Sequence, residues 1–201
     1  MYAAKAGHIG GDLSCLNVMT ALYFHVMNGL NPKDPKAPLR DRFVLSKGHC
    51  VESLYVTLEA KGYLKPEVLD TLGQFGSILS GHPTIEVPGI EVNSGALGHG
   101  LSIGVGMAIA AKMDQQPWRT YVMMGDGEQG EDSIYEAAMA ANRYQLDNLV
   151  AIIDRNHLQK LMKYICKNGF EHHVAMCRTD VVDILQEAIE TYLGWNIYVH
   201  E

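Results

Sequence analysis

The sequence predicts an α/β fold in which a parallel sheet is flanked by helices. Three short apolar runs have the length and composition of buried strands, namely residues 42–46, 121–124 and 149–153. Segments with helical periodicity lie between these runs. The clearest unit is residues 118–154, which read as strand, helix, strand. Because such a crossover is right-handed and joins parallel strands, this unit predicts a parallel sheet.

The first half of the chain predicts two helices, one strand and a long loop. Residues 12–28 have helical spacing, with Asp12 as N-cap and Gly29 as stop. Residues 42–46 are the first strand, and residues 51–61 form a helix that ends at Gly62. The stretch 73–106 is rich in glycine, serine and histidine, which is typical of loops, and it leads near Gly100 into a helix of small residues.

The second half predicts the strand–helix–strand unit and a separate tail. The strand at 121–124 ends at Gly125, and a helix follows at 132–145. One face of this helix is formed by Ile134, Ala137, Ala138, Ala141 and Tyr144. In the tail, Asp180 and Gly194 bound a predicted helix at 180–193, and a short strand is expected from Asn196 to Val199.

Composition excludes several classes of protein. With 16 basic and 23 acidic residues, the net charge is −7, so the chain lacks the field that attracts nucleic acid or anionic membranes. The four cysteines have no C-x-x-C spacing, which favours reduced thiols over a zinc site or a disulfide framework. No apolar run reaches the roughly 18 residues of a membrane span, and the N-terminus lacks a signal peptide. We therefore expect a cytoplasmic protein.

The loop after the second strand contains a misleading motif. Residues 125–130 satisfy G-x-G-x-x-G, and Asp154 lies near the position expected for a ribose-binding acid, which together suggest a dinucleotide site. However, Asp126 and Glu128 would repel the phosphates. A divalent cation reverses this effect, because Mg²⁺ binds carboxylate oxygens and substrate phosphates together. Asp126 and the amide of Asn156 suit such a site, although the two acids could instead complement the helix dipole.

Five motifs resemble those of one enzyme family. Gly125-Asp126-Gly127 followed by Asn156 resembles the signature of thiamine diphosphate sites. The upstream motifs, at residues 7–11 (GHIGG), 46–49 (SKGH), 80–83 (SGHP) and 94–100 (SGALGHG), resemble those of the transketolase family in their order. The similarity covers residues 1–159 and is greatest to the N-terminal subunit of split bacterial transketolases. It implies a thiamine diphosphate-binding fold that is incomplete in this chain.

The resemblance implies a role for each matching residue in binding the cofactor. Asp126 and Asn156, with the backbone carbonyl of Leu158, would hold Mg²⁺, or Ca²⁺ or Mn²⁺ in its place. Gly127 would let the backbone approach the diphosphate, and Gly95 and Leu97 would pack on the pyrimidine ring. The implied cofactor-binding residues are His49, Gly95, Leu97, Gly125, Asp126, Gly127, Glu128 and Asn156.

Three histidines that follow glycine are the implied catalytic residues. His8 and His82 would line the channel and exchange protons with the donor ketose, and His49 would contact the diphosphate or the sugar. An imidazole with a pKa near 6.5 transfers protons in both directions at neutral pH. His99 lies in the glycine-rich loop, whereas Glu131 and Glu136 match acidic positions of the family at the subunit contact.

The implied reaction moves a two-carbon ketol unit from a ketose phosphate to an aldose phosphate. The glutamate that activates the cofactor belongs to the family's other domain. We therefore expect a partner that carries the pyrimidine domain, assembly as a dimer or heterotetramer, and no activity of the isolated chain. Residues 160–201 depart from the family, and residues 169–176 faintly resemble the end of fucose and arabinose isomerases. The alternatives are a degenerate binding or regulatory protein and a nicotinamide-dependent enzyme.

Overall fold

The computed structural model describes residues 7–155 and 198–200. Helix α1 (Ile9–Ala21) continues into a π-helical turn (Leu22–Val26). The other helices are α2 (Val51–Lys61), α3 (Pro66–Leu69), α4 (His99–Met113) and α5 (Asp132–Arg143). The strands are β1 (Arg42–Leu45), β2 (Thr120–Gly125), β3 (Leu149–Asp154) and β4 (Tyr198–His200). Short 3-10 turns lie at Gly48–Cys50 and Gly127–Gly130.

The four strands form one parallel sheet in the order β1-β2-β3-β4. In the register, Leu45 lies opposite Met123, and Gly125 lies opposite Asp154. Parallel pairing of β2 with β3 confirms the prediction made from the strand–helix–strand unit. The strand expected after Asn196 is present as β4, which pairs with β3.

Alternate strand residues pack into two cores, one on each face of the sheet. On the first face, α1 and α2 cover Phe43, Leu45, Tyr121, Met123 and Ile152. On the second face, α4 and α5 cover Val44, Val122, Met124, Ala151 and Ile153. Burial on both faces explains why these strands are continuous apolar runs rather than alternating ones. The three layers leave the carboxyl ends of the strands at one edge.

Most predicted elements are confirmed, and the errors have local causes. Helix α2 has the predicted bounds and ends at Gly62, whose φ of 96° is left-handed. Asp12 is not an N-cap, because α1 already begins at Ile9. Helical structure ends at Val26, so Gly29 is not the stop. Tyr144 is 58% exposed because it follows the last residue of α5.

Some expectations concern parts of the chain that are not described. The predicted helix at 180–193, Cys166 and Cys177 all lie outside the described residues. Cys15 and Cys50 are buried and free, as expected for reduced thiols. Within the described part of the chain, no helix is long and apolar enough to cross a membrane.

Two glycines of α4 provide a matched test of packing. A Cβ at Gly100 would lie 2.3 Å from the Cβ of Ser46 and 2.8 Å from its Cα, whereas a Cβ at Gly106 would meet nothing within 4 Å. We expect Gly100→Ala to lower the free energy of unfolding by about 1–3 kcal/mol, because the backbones must separate. Gly106→Ala should raise it by about 0.5–1 kcal/mol through helix propensity. Urea unfolding of both variants measures the difference, and equal effects would contradict the packing shown here.

Candidate functional site

The candidate site lies at the carboxyl ends of β1, β2 and β3. In open parallel sheets, ligands bind beyond this edge. Ser46 and Lys47 follow β1, Asp126 follows β2, and Asp154 ends β3. The segments after β2 and β3 meet at this edge, where the backbone nitrogen of Asp126 donates a hydrogen bond to the carbonyl of Asp154 at 3.1 Å.

A buried ion pair joins two of these strand ends to α1. The ammonium of Lys47 contacts the Asp154 carboxylate and donates a hydrogen bond to the carbonyl of Gly11 at 3.2 Å. The hydroxyl of Ser14 also lies within hydrogen-bonding distance of Asp154. Residues after β1, at the end of β3 and in α1 are therefore held together by charge-assisted hydrogen bonds, which are the stronger kind.

Glu128 connects three loops at the same edge. Its Oε1 accepts hydrogen bonds from the hydroxyl of Ser46 and from the backbone nitrogen of Gly98, the latter at 2.9 Å. Its Oε2 accepts from the nitrogen of Gly125 at 3.1 Å. The side chain points into the protein and is 1% exposed. Of the two acids in this loop, only Asp126 would therefore repel a bound diphosphate. A role of Glu128 in cofactor binding stays a prediction, and with this geometry that role would be indirect.

Burial raises the pKa of Glu128 above its usual value, and the hydrogen bonds from Ser46, Gly98 and Gly125 oppose this shift only in part. A carboxyl group with a raised folded-state pKa contributes stability that is full below the unfolded pKa and is lost as the pH rises through the folded one. We therefore expect the stability of the wild type relative to Glu128→Gln to fall as the pH rises above the ordinary glutamate pKa of about 4.3. Urea unfolding as a function of pH measures it, and a constant difference would contradict the raised pKa.

The three predicted catalytic histidines lie around one set of loops. The rings of His8 and His49 are 5.2 Å apart in an edge-on arrangement. The ring of His82 packs on Gly95, where an added Cβ would lie 2.4 Å from its Cδ2. Gly95 also has a φ of 132°, which disfavours any residue with a side chain.

The backbone of Gly95 also connects the two groups of histidines. A Cβ at Gly48, directly before His49, would lie 2.7 Å from the Cα of Gly95. The SKGH, SGHP and SGALGHG motifs are therefore in direct contact. The GHIGG motif joins them because the ring of His8 lies against the ring of His49.

Asp126 occupies the position expected of a metal ligand. It is half-buried, and its Oδ1 accepts a hydrogen bond from the nitrogen of Gly127 at 2.9 Å. The other two predicted ligands, Asn156 and Leu158, lie outside the described residues. Among the residues described, no group of three or more His, Cys, Asp or Glu could hold a metal. The set of one carboxylate, one amide oxygen and one carbonyl stays a prediction, which rests on the preference of Mg²⁺ for few carboxylates together with other oxygen ligands.

The remaining predicted residues lie at or near the starts of α4 and α5. Leu97 is half-buried, and its carbonyl lies 3.1 Å from Nδ1 of His99, the exposed first residue of α4. Glu131 and Glu136 are both exposed, as a contact with another protein chain would require. Sequence reasoning missed the pairing of Lys47 with Asp154. The sequence did contain a signal for this pair, because Lys47 lies in the SKGH motif directly after an apolar strand, where a buried side chain is expected.

Comparison with known proteins agrees with this geometry. Residues 1–163 match the family described as "Transketolase, thiamine diphosphate binding domain". The chain belongs to the transketolase family. The resemblance inferred from the motifs is thereby confirmed.

Two relatives of this transketolase-family chain are named as transketolase subunits. The relative from Phocaeicola vulgatus, named as a subunit of apulose-4-phosphate transketolase, is 77% identical over 159 residues, which are 79% of this chain and 56% of that protein. The "6-deoxy-6-sulfo-D-fructose transketolase subunit SqwG" of Clostridium sp. is 47% identical over 154 residues, 76% of this chain and 56% of that protein. The chain therefore spans about half the length of these curated relatives.

Solved transketolases share its fold. The transketolase structure from Campylobacter jejuni has a TM-score of 0.78 and is 30% identical in sequence. The match covers 98% of this chain and 34% of the Campylobacter jejuni chain. The structure from Leishmania mexicana has a TM-score of 0.76 and 30% identity, over 98% and 33% respectively. These similarities confirm the predicted α/β thiamine diphosphate-binding fold.

Proposed function

We propose that this chain is the N-terminal, diphosphate-binding subunit of a split transketolase. With thiamine diphosphate and Mg²⁺, it transfers a two-carbon ketol unit from a ketose phosphate to an aldose phosphate. It does so together with a separate pyrimidine-domain subunit, in a dimer or heterotetramer. The naming of its relatives as subunits supports the partner.

One observation supports the proposal most directly. Histidines from three separate motifs lie around Gly48 and Gly95, at the edge of the sheet where Asp126 follows β2. Structural packing alone does not explain why several imidazoles, which are polar, gather at the edge of the sheet that also carries Asp126. A site that binds a metal diphosphate and exchanges protons with a sugar uses both kinds of group.

Each residue contributes binding, orientation or proton transfer. When bound, thiamine diphosphate supplies the carbanion chemistry of ketol transfer. Asp126, with Asn156 and the carbonyl of Leu158, would hold the cation that neutralises the diphosphate. His8 and His82 would accept and return protons at the hydroxyl groups of the donor ketose through their ring nitrogens. The Glu128 carboxylate holds the loops of Ser46, Gly98 and Gly125 in the positions that this arrangement needs.

The relatives suggest which substrates to test. Their names include apulose-4-phosphate and 6-deoxy-6-sulfo-D-fructose, two sugars that each carry an anionic group. Identity of 77% to the first makes apulose-4-phosphate the donor that we propose to assay first.

A ketol-transfer assay tests the proposal. The 201-residue chain is assayed with Mg²⁺ and thiamine diphosphate, alone and with the proposed pyrimidine-domain subunit. We expect no turnover by the chain alone and turnover by the pair. Turnover by the chain alone would contradict the need for a partner. Absence of both turnover and cofactor binding in the pair would contradict the enzymatic proposal and support a binding or regulatory role.

A further inference from the structure

A cavity lies between α1, α2 and the segment that follows α3, close to His8, whose carbonyl accepts the backbone N–H of Asp12 at 3.0 Å. It has a volume of about 200 Å³. Six apolar side chains account for most of its lining: Leu13, Leu16, Val56, Leu69, Leu72 and Leu79. Leu13 and Val56 are exposed at its rim, so the cavity is accessible from solvent.

Two carboxylates also line this cavity, and each has an oxygen without a partner. Asp12 is 4% exposed and Glu52 is 9% exposed. Asp12 uses Oδ1 to accept the backbone N–H of Ser53 at 2.8 Å, which caps the start of α2. Its Oδ2 and the Oε2 of Glu52 are buried and accept no hydrogen bond from any described residue. A buried acceptor in this state costs free energy unless a donor reaches it.

The charges around the two carboxylates point to a cationic ligand. The repulsion between Asp12 and Glu52 raises the pKa of Glu52, after the larger effect of burial. Lys47 and His8 are the described basic residues that act on these carboxylates, but neither donates a hydrogen bond to the two unpaired oxygens, and the ammonium of Lys47 is directed to Asp154 and Gly11. A positively charged group with N–H donors would satisfy both orphaned oxygens and cancel the repulsion between them, whereas an anion or a neutral acceptor would do neither.

We propose that this cavity binds a small organic ammonium ion, whose charged head contacts Asp12 and Glu52 and whose apolar body lies against the leucines. The volume suits a short alkyl chain, and the apolar lining favours one over a hydrated inorganic cation. The cavity shares no lining residue with the proposed cofactor site, and the two sites adjoin through the hydrogen bond from the backbone N–H of Asp12 to the carbonyl of His8.

Calorimetric titration of the full chain with n-hexylammonium chloride tests the proposal, with n-hexanol at matched ionic strength as the neutral control. We expect n-hexylammonium to bind about tenfold or more tightly than n-hexanol, as hydrogen bonds to charged groups imply. Equal affinities would reduce the cavity to an apolar groove and overturn the proposal. This comparison uses the wild type and does not depend on the folding of any variant.

Variants locate the bound probe. Glu52→Gln and Asp12→Asn should each weaken n-hexylammonium binding about tenfold, and Asp12→Asn keeps the acceptor for Ser53. Glu59→Gln, on the same helix but outside the cavity lining, should leave binding unchanged. Asp126→Ala should also bind the probe as tightly as the wild type. Loss of binding in Asp126→Ala, or unchanged binding in Glu52→Gln, would place the probe elsewhere and overturn the assignment.

Discussion

Replacing Asp126 with alanine is expected to abolish Mg²⁺-dependent binding of thiamine diphosphate. Asp126 follows β2 and is the one predicted metal ligand within the described residues. Residues that only orient a metal ligand by hydrogen bonding contribute about 10–100-fold to metal affinity. Removal of a ligand itself should therefore lower metal affinity about 100-fold or more. Calorimetric titration with thiamine diphosphate, with and without Mg²⁺ and in the presence of the pyrimidine-domain partner, measures this loss.

Asp132→Ala is the matched control for Asp126→Ala. Asp132 is an exposed acid at the start of α5, and no predicted role depends on it. We expect its replacement to leave cofactor affinity within about twofold of the wild type, because a screened surface charge contributes little. Asp126→Asn, which keeps an oxygen and loses the charge, should give an intermediate affinity. Unchanged Mg²⁺-dependent binding in Asp126→Ala would contradict the predicted metal site, and binding without a divalent cation would favour the dinucleotide alternative.

Replacing Lys47 with methionine should strongly destabilise the fold. The side chains of Lys47 and Asp154 are only 1% and 4% exposed, so the substitution leaves a buried carboxylate without its cation. Breaking such a pair costs about 3–5 kcal/mol. Replacing both partners with apolar residues is often nearly neutral, so Lys47→Met combined with Asp154→Leu should recover most of the loss. Urea unfolding measures both variants.

An exposed ion pair supplies the control for Lys47→Met. Lys112 contacts Asp147 at 2.8 Å, and the Asp147 side chain is 86% exposed. Lys112→Met should therefore change the free energy of unfolding by less than about 1 kcal/mol, as is usual for surface pairs. If Lys47→Met cost no more than Lys112→Met, the burial of the Lys47–Asp154 pair would not have the energetic role assigned to it here.

Patterns within short segments were sufficient to predict most of the fold. Apolar runs at 121–124 and 149–153 with a helix between them admit essentially one topology, because a crossover between parallel strands is right-handed. The structure confirms the parallel pairing of β2 with β3. The position of Asp126 after a buried strand was also predictable, since parallel strands present their carboxyl ends at one edge.

Errors arose where a side chain bonds to a distant part of the chain. Asp12 looked like the cap of its own helix, but it caps α2 by accepting the N–H of Ser53. Glu128 was expected beside the phosphates, and its role in cofactor binding stays a prediction, but its carboxylate lies in the interior, where Ser46 and Gly98, which are remote in sequence, donate to it. Local spacing does not record such partners, because they meet only after the helices pack on the sheet.

The sequence alone determined the fold class, the family and the set of motifs, because strand pairing and cofactor chemistry constrain short, contiguous patterns of residues. Only the tertiary structure decided which of these residues meet. It brought His8 to His49 and His82 to Gly95, and it left Asp12 and Glu52 with unpaired oxygens beside an apolar cavity. The physical reason is that burial and charge pairing depend on packing across the layers. The local sequence around an acidic residue therefore does not show whether its carboxylate will be buried or exposed in the folded chain.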